Sequence, residues 1–179
     1  MFFTRCKQIA AVTQGMRALL RALVVSFVVC VCIGTPAHAW PGIVTHVSDG
    51  DTVWVQPLHG GEAHKVRLLG IDAPEICQTG GLAARDALAT RVLRQVVTVN
   101  ERQRDHYGRA LVHLTHQGED VGAWLVVRGH AWAYHWRYGE GVYAGEERQA
   151  RAQKKGLFAD RNAEVPRDFR RRHGPCPLP

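Results

Sequence analysis

Asp51, Arg67, Asp72, Glu75 and Arg109 are the side chains of this 179-residue sequence whose types and spacing could do chemistry together. Arg67, Asp72 and Glu75 interrupt the otherwise apolar run Lys65-Val66-Arg67-Leu68-Leu69-Gly70-Ile71-Asp72-Ala73-Pro74-Glu75. Val66, Leu68, Leu69 and Ile71 favour burial and the charges resist it, so such charges pair, bind a metal or react. Asp51 and Asp72, with a nearby turn carbonyl, form half of an oxygen-only site that suits Ca²⁺ or Mg²⁺ and keeps water. The planar guanidiniums of Arg67 and Arg109 match a phosphate bidentately and stabilise the extra charge of a pentacoordinate transition state. Glu75, three residues past Asp72, could orient or deprotonate a water. The set as a whole reads as phosphodiester hydrolysis. Singly, each member has a plainer reading: Asp49-Gly50 is ordinary turn chemistry, and the two arginines could be surface ion-pair partners or simply neutralise the acids.

The elements that must position these groups can be read from periodicity. Ile43–Val47 is a short β-branched run, and Ser48-Asp49-Gly50 is a turn. Asp51–Pro57 and Ala63–Asp72 read as strands joined near His59–Gly60, which sets Asp51 opposite roughly residues 67–69. Strict alternation places Arg67 and Asp72 on opposite faces. They converge only if the strand bulges near Gly70 or ends there and turns. Pro74 stops the strand. Thr79-Gly80-Gly81 opens a helix with an Ala84, Leu88, Val92 stripe. Val96–Val99 and Ala110–Leu114 read as paired strands across a charged connection from Glu101 to Tyr107. Asp120 caps a second helix ended by Gly129, and His130–Tyr134 is a short alternating segment. A third helix runs from about Tyr143 to Lys155, with Glu147 and Arg151 spaced as an i, i+4 pair. The fold class expected is α+β, mainly β: a small closed barrel of about five strands with about three α-helices.

Composition narrows the class. Residues 1–39 carry Arg5, Lys7, Arg17 and Arg21 without an acid, an apolar stretch from Leu19 to Ile33, and Ala37-His38-Ala39 before Trp40, the pattern of a removable secretory signal. Four of the 23 basic residues and none of the 16 acidic ones lie there, so the net charge of the remainder is +3 rather than +7. That is too mild to argue for a nucleic-acid partner by itself. Residues 40–160 read as one domain and 161–179 as a loose basic tail containing prolines. Of the five cysteines, Cys77 and Cys176 stay outside the signal, either as a disulfide or as two free thiols. His113 and His116 fall on opposite faces of a strand, and no Cys/His spacing matches a zinc module.

Asp49-Gly50-Asp51-Thr52, Arg67-Leu68-Leu69-Gly70-Ile71-Asp72-Ala73-Pro74-Glu75 and Asp105-His106-Tyr107-Gly108-Arg109 resemble the three motif blocks of the staphylococcal nuclease (thermonuclease) family. Gly129–Tyr134 and Gly156-Leu157-Phe158 are similar to its closing segments. The resemblance spans roughly residues 43–158. It implies a five-stranded OB-fold barrel with three helices, and an exported, Ca²⁺-dependent nuclease that cleaves DNA and RNA with little sequence specificity and leaves 3′-phosphates. It implies that Asp51, Asp72 and the Ala73 carbonyl hold one Ca²⁺, that Glu75 is the proposed general base, and that Arg67 and Arg109 bind phosphate. Tyr107 and, more weakly, Tyr134 would lie near the nucleotide. It further implies a secreted or periplasmic monomer with no stable membrane association once the signal is removed. Trp132 shares a strand face with Tyr134, where it could stack a base or pack into the core. The departures are His106 in place of a basic residue, alanine at position 73, and a short loop after Glu75 carrying Cys77. The rival reading is a non-catalytic OB-fold that binds nucleic acid without cleaving it.

Overall fold

The computed structural model describes residues 39–135 and 139–176. The expected signal segment, apart from Ala39, lies outside the described residues, as do the last three positions of the tail.

Among the described residues there are eight strands: β1 (Ala39–Asp49), β2 (Thr52–Pro57), β3 (His64–Leu68), β4 (Ile71–Asp72), β5 (Val96–Arg104), β6 (Ala110–His116), β7 (Glu119–Asp120) and β8 (Trp132–Ala133). The large sheet runs β3-β2-β1-β5-β6-β7, and a parallel β3–β6 pairing closes its first five members into a barrel. Closure removes the unpaired strand edges of a sheet this size. The helices of the described residues are α1 (Gly81–Val92), α2 (Val121–Val127), α3 (Ala144–Ala152) and α4 (Pro166–His173), with a 3₁₀ turn over Gly156–Ala159.

Alternation and helical spacing explain the core. Val53 and Val55 of β2, Val66 and Leu68 of β3, Val97 and Val99 of β5, and Val112 and Leu114 of β6 point inward and are buried. The α1 stripe of Ala84, Leu88 and Val92 joins them, as do Val121, Leu125 and Val126 of α2. Each fully buried Val or Leu is worth roughly 1.5–3 kcal/mol by removal from water. Asp120 caps α2 as its spacing indicates, with Oδ1 accepting from the Ala123 N–H at 2.9 Å.

Three expectations are corrected. The charged connection expected from Glu101 is strand up to Arg104, because Glu101, Gln103 and Arg104 pair with Val112, Leu111 and Ala110 of β6. A ladder satisfies the backbone whatever the outward side chains are, so a charged run on an exposed face still extends a strand. The loose tail contains α4, and with it the described residues hold four α-helices rather than three. Pro166 occupies the first turn of α4, Asp168 follows, and Arg170, Arg171, Arg172 and His173 fill the last turn. These charges complement the helix dipole. The third helix ends at Ala152, short of Lys155.

Candidate functional site

The barrel builds the acidic half of the site. Antiparallel pairing sets Thr52 opposite Arg67, and the Leu68 N–H donates to the Asp51 carbonyl at 2.8 Å. Asp51 therefore lands beside Arg67, as the hairpin register requires. Strand β3 stops at Leu68, Gly70 takes φ +81, and β4 restarts at Ile71. That left-handed residue is open to glycine and strained for other side chains. It makes the break that turns Asp72 back toward Arg67. The Arg67 guanidinium bridges the two acids, with Nη1 2.7 Å from Asp51 Oδ1 and Nη2 3.0 Å from Asp72 Oδ1. Asp51 also accepts from the Thr52 hydroxyl at 2.9 Å and from the Ala73 N–H at 3.2 Å. Ala73 thus contacts the cluster through its backbone, here by its amide.

Strand β8 holds β4 in place. Ile71 pairs with Ala133 and Asp72 with Trp132, and the Tyr134 N–H donates to the Gly70 carbonyl at 2.8 Å. Glu147 of α3 accepts from the Ala133 N–H at 2.7 Å and pairs with Arg151. The i, i+4 pair was legible in the sequence; its grip on β8 was not. Trp132 is buried against Phe158, with ring centroids 6.1 Å apart. It belongs to the core and does not offer a base-stacking face. Tyr134 stays half-exposed at the end of that strand.

Glu75 sits on a loop folded tightly over the start of α1. Its N–H donates to Gln78 Oε1 at 3.1 Å, and its carbonyl accepts from the Gln78 N–H at 2.8 Å. A Cβ on Gly81 would collide with the Glu75 carbonyl, so only glycine lets the helix begin this close. The disulfide Cys77–Cys176 joins this loop to the tail, with Cα atoms 5.7 Å apart. Arg170 of α4 reaches in from the tail: Nη1 lies 2.5 Å from Glu75 Oε1, and Nη2 lies 3.3 Å from Asp72 Oδ2. Sequence reasoning missed Arg170. The arginine run and Cys176 were visible signals, but nothing local to the tail said that the two belonged over Glu75.

Arg109 and Tyr107 belong to a separate exposed turn. The Asp105 carboxylate accepts from the N–H groups of Tyr107 and Arg109, both at 2.9 Å, and from Arg109 Nε at 2.7 Å. The Arg109 guanidinium lies 5.5 Å from the centroid of the Tyr107 ring, which is 86% exposed. Arg67 is in register with Leu111 across the parallel pair. Two residues earlier, Arg109 shares that outer face one strand over. Its hydrogen bonds in this structure go to Asp105.

Burial sets the electrostatics. Asp51 is 2% exposed and Asp72 6%. Burial pushes the Asp51 carboxyl up to about 6 despite the opposing charge of Arg67. It raises Asp72 as well, with Arg170 and Arg67 pulling the other way. Asp105 is different: desolvation raises it, but the Arg109 side chain and the two turn N–H groups together outweigh that and hold it below the usual carboxylate range. Asp51, Asp72 and Glu75 are three carboxylates paired with two guanidiniums, Arg67 and Arg170. The all-oxygen chemistry of Asp51 and Asp72 fits a hard cation with water completing its shell. Among the described residues, no three or more His, Cys, Asp or Glu side chains gather into a larger metal-holding group.

The sequence is similar to those of known proteins. The family model for staphylococcal nuclease homologues matches residues 65–160. A micrococcal nuclease of Shigella flexneri is 38% identical over 170 residues, covering 87% of this chain and 96% of that protein. An uncharacterized endonuclease of Escherichia coli is 35% identical over 142 residues, covering 75% of this chain and 92% of its own length. A second uncharacterized endonuclease, from Haemophilus influenzae, is 34% identical over 128 residues, covering 72% and 71%.

Proposed function

The chain belongs to the family of staphylococcal nuclease homologues, and on that premise we propose that it is an exported, calcium-dependent nuclease of low sequence specificity. It is a nuclease, and nucleic acid is its substrate. The finer reading covers DNA and RNA, products with 3′-phosphates, and a monomeric enzyme. The observation that carries the mechanism is the bridge that Arg67 makes between Asp51 and Asp72, with Glu75 three residues beyond.

In this mechanism Asp51, Asp72 and the Ala73 carbonyl would hold one Ca²⁺. The ion, when bound, would polarise the scissile phosphate and offset its charge. Glu75 accepts a proton from the attacking water or orients that water in line with the leaving oxygen. Arg67 donates to the phosphoryl oxygens as negative charge builds on them. Arg109 turns from Asp105 to the same phosphate, while Tyr107 and Tyr134 flank the nucleotide from the two ends of the site. Removal of residues 1–39 on export accords with the Cys77–Cys176 disulfide, which persists in oxidising compartments. No helix among the described residues is long and apolar enough to cross a membrane.

The test is cleavage of single-stranded DNA by the purified protein with Ca²⁺, with EGTA, and by Glu75→Ala. Cleavage that needs both the ion and Glu75, and that leaves 3′-phosphate ends, supports the mechanism. Equal cleavage in EGTA or by Glu75→Ala refutes it.

A further inference from the structure

We propose that Arg170 is a third arginine of the nuclease site, a substrate-binding residue that the tail helix supplies and the Cys77–Cys176 disulfide keeps in reach; this rests on the nuclease reading above. Its guanidinium spans Glu75 and Asp72, and its side chain is 39% exposed. Nη1 and Nη2 both meet the acids, so a phosphate would take them in exchange for the carboxylates. A phosphodiester entering beside Asp72 and Glu75 meets two carboxylates. Arg170 is a cation already within hydrogen-bond distance of both, with the fork geometry that a phosphate accepts bidentately.

The anchoring of α4 converges on this spot. Gln78 is buried: its Oε1 accepts from the Glu75 N–H, and its Nε2 donates to the Glu164 carbonyl at 2.6 Å. The Cys77 N–H approaches Cys176 Sγ at 3.1 Å beside the disulfide itself. The helix is thus stitched at both ends to the loop that carries Glu75. Yet α4 has little of its own to bury. Pro166 is its buried residue, while Arg171 and Arg172 pair outward with Asp168 and Glu164. A helix with so little apolar surface does not dock by hydrophobic burial. The covalent tether supplies that docking and raises the effective concentration of Arg170 at the site. What the tail gives the molecule in return is one guanidinium over the reacting centre.

The experiment compares wild type, Arg170→Ala, Arg170→Lys and the double variant Cys77→Ser/Cys176→Ser, all in the full chain with Ca²⁺. Two quantities are read: KM and kcat on single-stranded DNA, and the Kd of thymidine 3′-monophosphate, a non-cleavable ligand of the product class, by calorimetry. The expected result is that Arg170→Ala raises both KM and Kd about tenfold or more, as loss of a charged hydrogen bond to phosphate would. Arg170→Lys recovers part of the loss, and the double cysteine variant reproduces most of it with Arg170 still present. Unchanged KM and Kd in Arg170→Ala would reduce the contact to a structural ion pair and overturn the inference. Faster cleavage without Arg170 or without the disulfide would overturn it too, and would make α4 a cover over the site. A wild type that does not cleave overturns the nuclease reading and this inference together; a wild type that cleaves but is indifferent to Arg170 overturns the inference alone.

Discussion

The buried Asp51–Arg67–Asp72 cluster and the exposed Asp105–Arg109 turn both present an arginine, but they are built differently. Arg67 is fixed by strand register and by two acids that are almost fully buried. Arg109 is fixed by a five-residue turn in which a single acid takes up its Nε and two backbone N–H groups. Water screens the second pair far more than the first. Breaking up the first cluster leaves buried acids without a partner, whereas the second can change partners at small cost to the fold. Arg170 stands between them: it touches buried Asp72 and half-buried Glu75, but a tether rather than a strand delivers it.

This contrast is broken or sharpened by a series of variants. Arg67→Ala should lose both functions at once. Two buried acids left without their partner cost about 3–5 kcal/mol in urea unfolding, and kcat falls about 10²–10³-fold. Next in size is the double variant Cys77→Ser/Cys176→Ser. The disulfide closes a chain segment with a sequence separation of 99, and its removal should cost about 2–4 kcal/mol. Gly81→Ala should cost about 1–3 kcal/mol by overpacking, and its clash falls on the Glu75 carbonyl. Its activity should therefore drop by more than its stability alone explains, which single-turnover cleavage at a temperature where the variant is fully folded will show. Arg109→Ala is the counterpart of Arg67→Ala: stability should change by no more than about 1 kcal/mol, while kcat/KM falls steeply. Equal stability losses in Arg67→Ala and Arg109→Ala would erase the distinction between the two regions.

The smallest effect lies outside both regions and separates fold from site by pH. Burial, with Arg128 nearby, holds His130 below the ordinary imidazole value of 6.5. The unfolded chain then takes up a proton that the folded one refuses. Stability from this group is fully present above 6.5 and is lost as pH falls toward the lowered folded value. His130 stacks on Trp124, with centroids 6.1 Å apart, so His130→Phe should flatten the low-pH limb of urea-derived stability while leaving cleavage at neutral pH unchanged.

Much of the barrel was legible because its signals are local. Alternation in Asp51–Pro57 and Val96–Val99, the Ala84–Leu88–Val92 stripe and the Asp120 cap each fit within a few residues. The approach of Asp51 to Arg67 was legible too, since a hairpin register carries it. The requirement that the strand end or bulge near Gly70 was visible, though not which of the two it does. What stayed hidden depends on contacts across long separations. The grip of Glu147 on Ala133, the choice of a disulfide over two thiols, and Arg170 against Glu75 all join residues that no periodicity links. The tail misled because its composition is that of a solvated segment; a covalent tie and two acids, Asp72 and Glu75, order it from outside.

The central claim is that Asp51 and Asp72 on the barrel hold the divalent cation on which cleavage depends. Titration calorimetry of Ca²⁺ into wild type, Asp51→Asn and Asp72→Asn, with cleavage followed on the same samples, tests it most directly. The account predicts one Ca²⁺ bound by wild type, with binding and cleavage lost together in each variant. Calcium binding that survives both substitutions, or full cleavage by either variant, would contradict it.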